Sequence, residues 1–188
     1  GHGIALQFAI GGYEVSLQDT TEENLELALQ NIVSTLSLLQ DQGLVDEETA
    51  KSAPGHIRTS TSLSEAVSDA GLIVEAVFEN LELKQRIFVD LDRHCSPGTI
   101  LTSNTSSYMT SQLAPVTNRA DKVVVANWWN PPYLLPLVEV VRGPQTSDET
   151  IAITRDVLES VGKRPIVLQK ESLGFIGNRM QFALLREA

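Results

Sequence analysis

The sequence predicts an α/β chain built on a doubly wound, mostly parallel sheet. Three observations predict it. Strand-like and helix-like segments alternate along most of the 188 residues, the pattern of helices covering both faces of a parallel sheet. Residues 72–78, LIVEAVF, form an apolar run with little alternation, as expected of a strand covered on both faces. Glycines at a helix start (Gly1, Gly3) are followed by a strand that ends on a carboxylate, Asp19.

Taken in order, Ile4, Ala5, Phe8 and Ala9 fall on one helical face, and Gly11-Gly12 stops that helix. YEVSLQD (13–19) alternates as a strand. Thr20 with Glu23 reads as a capping box, and Leu25, Leu29, Ile32, Leu36 and Leu39 continue at helical spacing up to Gly43. A short acidic helix is predicted over 46–52, a short strand over 57–59 and a helical turn near 62–67. Residues 81–94 form a helix with Leu83, Ile87, Phe88 and Leu91 inward, and the SPG turn at 96–98 leads into the strand TILTSN (99–104). KVVVANW (122–128) and LPLVEVVR (135–142) are strands separated by a Pro131-Pro132 loop. A helix over 148–161 is capped by Ser147 and ended by Gly162, with Ile151, Thr154, Leu158 and Val161 on one side. RPIVLQ (164–169) is the last strand, and helix runs from Gly174 onward. The pattern changes near Lys170 to Leu173, which divides the chain into an α/β unit over 1–171 and the beginning of a helical unit over 172–188.

Composition narrows the function classes. Hydrophobic content of 42% and charged content of 20% are ordinary for a globular chain. A formal net charge of −10 argues against a nucleic-acid surface, which needs a basic patch. It leaves room for an anionic cofactor, because backbone N–H groups at a helix start hold phosphates. The single cysteine, Cys95, permits no internal disulfide and fits a reducing compartment. No apolar run approaches the ~18 residues of a membrane span, and no signal peptide is visible. These features fit a cytoplasmic protein, with peroxisome and mitochondrion left open. No residue is assigned to a metal.

In a dinucleotide-binding fold a strand leads into G-x-G-x-x-G and a helix, and an acidic residue about 20 positions on binds the ribose. Gly1 fits the third glycine of that fingerprint and Asp19 the acidic residue. The first strand and the first two glycines are expected to be missing from this chain, which would leave the sheet with unpaired backbone groups. Alone, Gly1 reads equally as a helix start and Asp19 as a strand-end cap. As a cofactor residue, Asp19 implies NAD over NADP, because a carboxylate repels a 2′-phosphate.

Four further segments carry the chemistry: VEAVFENLELK (74–84), SNTSS (103–107), NWWNPPYLLPLVEVV (127–141) and GFIGNR (174–179). Together they resemble the 3-hydroxyacyl-CoA dehydrogenase family across the whole chain. The stretch NPPYLLPLVEVV and the last helix also resemble the lambda-crystallin and L-gulonate dehydrogenase branch, and short-chain hydroxyacid enzymes such as carnitine dehydrogenase. The resemblance implies a Rossmann-type NAD domain followed by a helical domain that carries a homodimer contact, with a small-molecule substrate between the two. It implies oxidation of a 3-hydroxyacyl-CoA, such as 3-hydroxybutyryl-CoA, to the 3-keto product by hydride transfer. It places Glu79 near the nicotinamide ribose with Lys84 beside it, and Asn104 in the cofactor pocket. Ser106 and Asn178 become polar contacts to substrate oxygen, and Glu139 the partner of the catalytic base. Each residue also has a plainer reading. Ser106 is a helix cap, Asn178 a polar helix start, Glu139 a carboxylate on a solvent face, and Trp128 and Trp129 either core or pocket wall.

The base itself is the departure. The family has histidine where this chain has Asn127. A carboxamide forms hydrogen bonds but does not take a proton at neutral pH, and a positioned base typically contributes ~10²–10⁴-fold. Neither His2, His56 nor His94 falls at that position. Asn127 therefore reads either as a replaced base in an enzyme, with low activity expected, or as the mark of a pseudoenzyme that binds NAD or acyl-CoA without turnover.

Overall fold

The computed structural model describes residues 1–188. Helix α1 (His2–Ile10) leads into β1 (Val15–Gln18), and α2 (Glu22–Asp41) and α3 (Glu47–Ser52) into β2 (Ile57–Ser60). Then α4 (Leu63–Val67), β3 (Leu72–Glu75), α5 (Leu81–His94) and β4 (Ile100–Ser103) follow. The second half runs α6 (Thr110–Leu113), β5 (Val123–Trp128), β6 (Leu137–Val141), α7 (Asp148–Ser160), β7 (Arg164–Leu168) and α8 (Gly177–Glu187).

The sheet is in two pieces. β1 and β2 pair in parallel, and β3-β4-β5-β6-β7 form a second sheet in sequence order. Within it only β5 and β6 are antiparallel. They alone are joined by a loop instead of a helix, and a loop returns the chain in the opposite direction. The division falls between the strand preceding Asp19 and the strand ending at Glu75, so β1 and β3 each present an unpaired edge. One core cluster packs α4 and α5 on one face of the larger sheet (Phe88, Leu91, Leu101, Val123, Val125). A second packs α1 and α7 on the other (Ile4, Val124, Val140, Leu158, Val161). No helix is long and apolar enough to cross a membrane.

Several predicted boundaries shift for local reasons. The cap of α2 is Thr21, whose hydroxyl accepts from the Asn24 N–H, while Thr20 turns to Asp19. β3 stops at Glu75, short of the predicted 78, and only Glu75 in it is fully buried, because it is an edge strand of its sheet. Phe78 beyond it is 87% exposed. On α5 the innermost residues are Lys84, Phe88 and Leu91, with Leu83 and Ile87 only half-buried. A lysine on the core side escapes a pattern that counts apolar residues. The last helix begins at Gly177 and not Gly174: Gly174 (φ 74) and Phe175 (φ 49) are left-handed. That turn drives Phe175 into the core beside Val141 and Leu168.

Candidate active site

β5 and β6 place Asn127 opposite Glu139 in register, near the carboxyl edge of the sheet, where open α/β folds bind ligands. Asn127 is 6% and Glu139 1% exposed. A buried carboxylate among Leu137, Val138, Val140 and Val141 needs partners, and Glu139 has four. The Asn127 amide donates to its Oε2 at 2.9 Å and the Trp129 indole N–H to the same oxygen at 3.3 Å. The N–H groups of Ile176 and Gly177 donate to Oε1 at 2.8 and 2.9 Å. Of the two readings of Glu139, the paired one holds. The carboxylate orients Asn127 and also receives the first backbone N–H groups of α8, a favourable place for negative charge. With Nδ2 turned to Glu139, Oδ1 of Asn127 points away and has no donor within the protein. This amide orientation follows from the hydrogen-bond network.

Trp129 closes this corner. Its indole lies directly on Gly177, where any Cβ would fall inside the ring's van der Waals surface. Gly177→Ala is expected to destabilise the fold by about 1–3 kcal/mol through overpacking, and to weaken the seat of α8 on Glu139. Urea unfolding of Gly177→Ala, alone and with Trp129→Ala, checks this: the ring truncation should give back most of the loss. An alanine at 177 that costs nothing refutes the contact.

A second network ties together the loops after β3 and β4. Glu75 accepts from the Lys84 ammonium at 2.9 Å, the Val77 N–H at 2.7 Å and the Ser103 hydroxyl at 2.5 Å. Lys84 also reaches Glu79 at 3.2 Å and the Val77 carbonyl at 3.2 Å. Glu79 accepts from the Thr105 hydroxyl and, at 3.1 Å, from the Ser107 N–H. Burial works to raise the Glu79 pKa, but the Thr105 hydroxyl, the Lys84 ammonium and Ser107 outweigh it and hold the carboxyl below the usual range. Lys84 thus accompanies Glu79, as the sequence implied. It is 1% exposed and its ammonium is spent on Glu75, Glu79 and the Val77 carbonyl. Ser106 stands between the two Glu79 contacts, partly exposed, and its hydroxyl has no protein partner. Asn178, the second residue of α8, is likewise half-buried with an unengaged amide, next to the Gly177 N–H that binds Glu139.

A cleft of about 300 Å³ lies between Gly1, His2 and Gly3 at the start of α1 and the loop 130–133. Asn104 and Trp128 also line it. The Asn104 carbonyl oxygen accepts the Trp128 N–H at 2.8 Å, which fixes the amide at the cleft. The close approach of α1 to the loop requires Gly3: a Cβ there would meet Pro132 at 2.8 Å. Beneath the loop, Lys163 is buried and donates to the carbonyls of Pro132 and Leu135 at 2.6 and 3.4 Å. Burial without a carboxylate partner pushes its pKa below the ordinary lysine value. Trp128 packs on Phe8 within the core and borders the cleft, so each tryptophan has its own role.

Asp19 stands half-exposed just past β1. Its Oδ1 accepts from the Thr20 N–H at 2.7 Å and the Asn24 amide at 2.8 Å, while Oδ2 has no protein partner. Partial burial works to raise its pKa, and the hydrogen bonds from Asn24 and Thr20 more than reverse that. A charged carboxylate with one free oxygen fits a ribose diol. The structure therefore brings Asn127 and Glu139 together with Asn178 at one corner, and Glu79, Lys84 and Ser106 at the adjoining loops. Asn104 and Gly1 meet at the cleft, and Asp19 is on the smaller sheet. The sequence did not single out Glu75 or Lys163, whose burial comes from contacts with distant elements, nor Tyr133, whose place on the cleft wall is set by the approach of the loop to α1.

Known proteins are similar to this chain in sequence and in fold. The profile described as the NAD-binding domain of 3-hydroxyacyl-CoA dehydrogenase matches residues 1–172. A human lambda-crystallin homolog is 37% identical over 189 residues, covering 100% of this chain and 59% of the relative. A probable 3-hydroxybutyryl-CoA dehydrogenase of Bacillus subtilis is 36% identical, covering 100% of this chain and 65% of the relative. The crystal structure of the (S)-3-hydroxybutyryl-CoA dehydrogenase of Ralstonia eutropha superposes with a TM-score of 0.95 at 34% identity, over 100% of this chain and 65% of that one. The chain thus spans about three fifths of the length of these relatives.

Proposed function

Because the chain belongs to the 3-hydroxyacyl-CoA dehydrogenase family, in its NAD-binding domain, we propose that it serves an NAD-linked dehydrogenase of 3-hydroxyacyl compounds. The candidates are a 3-hydroxyacyl-CoA such as 3-hydroxybutyryl-CoA and, alternatively, L-gulonate or another free 3-hydroxy acid. The observation that carries this reading is the Asn127–Glu139 pair on facing strands, with an outward Asn127 oxygen at the sheet's carboxyl edge. NAD supplies a hydride acceptor. The helix start at Gly1, the free oxygen of Asp19, Glu79 and Asn104 hold the cofactor. Ser106 and Asn178 bind the substrate oxygen, and Asn127 Oδ1 accepts a hydrogen bond from the hydroxyl. That hydrogen bond orients the substrate but leaves its proton in place, so oxidation by this chain is slow. We read the helical unit begun by α8 as part of a homodimer contact.

The reading is tested by NADH formation with 3-hydroxybutyryl-CoA and L-gulonate in parallel, by the protein and its Asn127→His variant. A pseudoenzyme is the second reading, favoured by Asn127 itself. NAD binding with no turnover in either form supports it. Cofactor choice is a separate readout. Asp19→Ala is expected to weaken NAD roughly tenfold by removing a charged hydrogen-bond acceptor, and to narrow the preference over NADP. Equal titration of both cofactors by the unaltered protein refutes the role of Asp19.

A further inference from the structure

Residues 129–136 join β5 to β6 and supply one wall of the cleft. This segment is short of backbone donors, because Pro131, Pro132 and Pro136 have no N–H. The N–H groups of Leu134 and Leu135 both turn back on the Pro131 carbonyl, at 3.1 and 3.0 Å. The carbonyls of Pro132 and Leu135 receive no backbone N–H. Pro132 is buried, where an unpaired carbonyl is costly. Lys163 satisfies both carbonyls with its ammonium, at 2.6 and 3.4 Å. The same ammonium lies 5.8 Å from the centre of the Trp128 ring, which borders the cleft.

The local fold fixes Lys163 in this place. Gly162 takes a φ of 77° after α7, and the Lys163 N–H returns to the Leu158 carbonyl at 2.9 Å, an ordinary helix C-terminal turn. Arg164 then opens β7, with its N–H on the Pro136 carbonyl at 2.8 Å. The lysine is thus held on both flanks. The opposite wall of the cleft is the start of α1, and the turn at 161–163 grips that helix as well. Gln7 of α1 donates its side-chain amide to the Val161 carbonyl at 2.7 Å. One turn therefore braces α1 through Gln7 and the loop through Lys163.

Resting on the NAD reading of the cleft, we propose that Lys163 is a positioning residue for the cofactor: its ammonium holds the loop 130–133 at the distance from α1 that the dinucleotide needs. It acts through Pro132 and Leu135, from beneath the wall. Without this tether the loop must be ordered when the cofactor binds, and that ordering lowers affinity.

The test uses the full-length protein, with calorimetric titration of NAD and amide hydrogen exchange of the ligand-free form. Lys163→Met keeps the length of the side chain and removes its donors. A hydrogen bond to a charged group is worth on the order of tenfold or more in an equilibrium, so this variant should bind NAD about tenfold more weakly. Its Leu134 and Leu135 amides should exchange about tenfold faster, through local opening of the loop. Lys163→Arg keeps a charged donor and should recover most of both losses. Lys163→Gln, whose amide keeps one donor group, should show smaller losses of the same sign and serves if the methionine variant does not fold. Both quantities are read on folded protein, so a role in overall stability alone moves neither. Equal NAD affinity in the parent and the methionine or glutamine variant overturns the inference and leaves the cofactor reading standing. So does unchanged exchange at Leu134 and Leu135, or a loss that Lys163→Arg repeats in full. Absence of NAD binding by the parent removes the cofactor reading, and this inference with it.

Discussion

Asn127→His is expected to raise NAD-dependent oxidation by ~10²-fold or more, within the ~10²–10⁴-fold a positioned base supplies. The site is already built to hold the ring. Glu139 Oε2 accepts from Asn127 at 2.9 Å, and an imidazole N–H donates to the same oxygen. The other ring nitrogen then faces outward, where the Asn127 oxygen stands free. A carboxylate partner favours the protonated ring, so the variant both takes the substrate proton and is stabilised once it has done so. Initial rates of NADH formation decide the matter, and the better substrate names the branch. Adding Glu139→Gln to the variant should return much of the gain and move the pH profile, because the ring loses the group that orients and charges it. Unchanged rates in Asn127→His, with NAD still bound, would remove the catalytic assignment of this corner.

Much of this corner was legible in the sequence. The strands carrying Asn127 and Glu139 are apolar runs ended by a Pro-Pro loop, and a polar residue inside each run has few explanations. The turn at Gly174 was harder to place. Glycine reads there as a helix start, and only packing shows that Gly174 and Phe175 take left-handed conformations to bury the phenylalanine. The antiparallel turn of β6 was implicit in a loop too short for a crossover. The division of the sheet matches the first strand that the sequence lacks, whereas the meeting of α1 with the loop 130–133 depends on residues far apart in sequence, such as Gly3 with Pro132, and no local pattern encodes it. Lys84 was read for its family position alone. Helical periodicity treats it as solvent-facing, whereas the fold buries it completely because Glu75 at the end of β3 and Glu79 in the loop after it both meet its ammonium.

That burial gives the second large effect. Lys84→Met is expected to cost about 3–5 kcal/mol of stability, the range for breaking a buried ion pair by removing one partner. Methionine keeps most of the volume, so the loss reports the charge. Glu75, 4% exposed, keeps the Val77 N–H and the Ser103 hydroxyl but loses its countercharge. The pH dependence follows from Glu79, whose pKa in the folded protein lies below its ordinary value. A carboxyl depressed in this way contributes stability that is present above its unfolded pKa of about 4.3 and is lost as pH falls through the folded value. Lys84→Met removes one of the groups that depress it. The gap in stability between the two proteins should therefore be widest near neutral pH and shrink below about pH 4, where protonation of Glu79 removes its share of the pairing with Lys84. Urea unfolding at neutral and acid pH measures both quantities. Glu75→Gln in the Lys84→Met background should recover part of the loss at neutral pH, since a neutral amide replaces the stranded charge. A Lys84→Met protein as stable as the parent, or a gap that grows on acidification, would mean that Lys84 does not hold the two loops together.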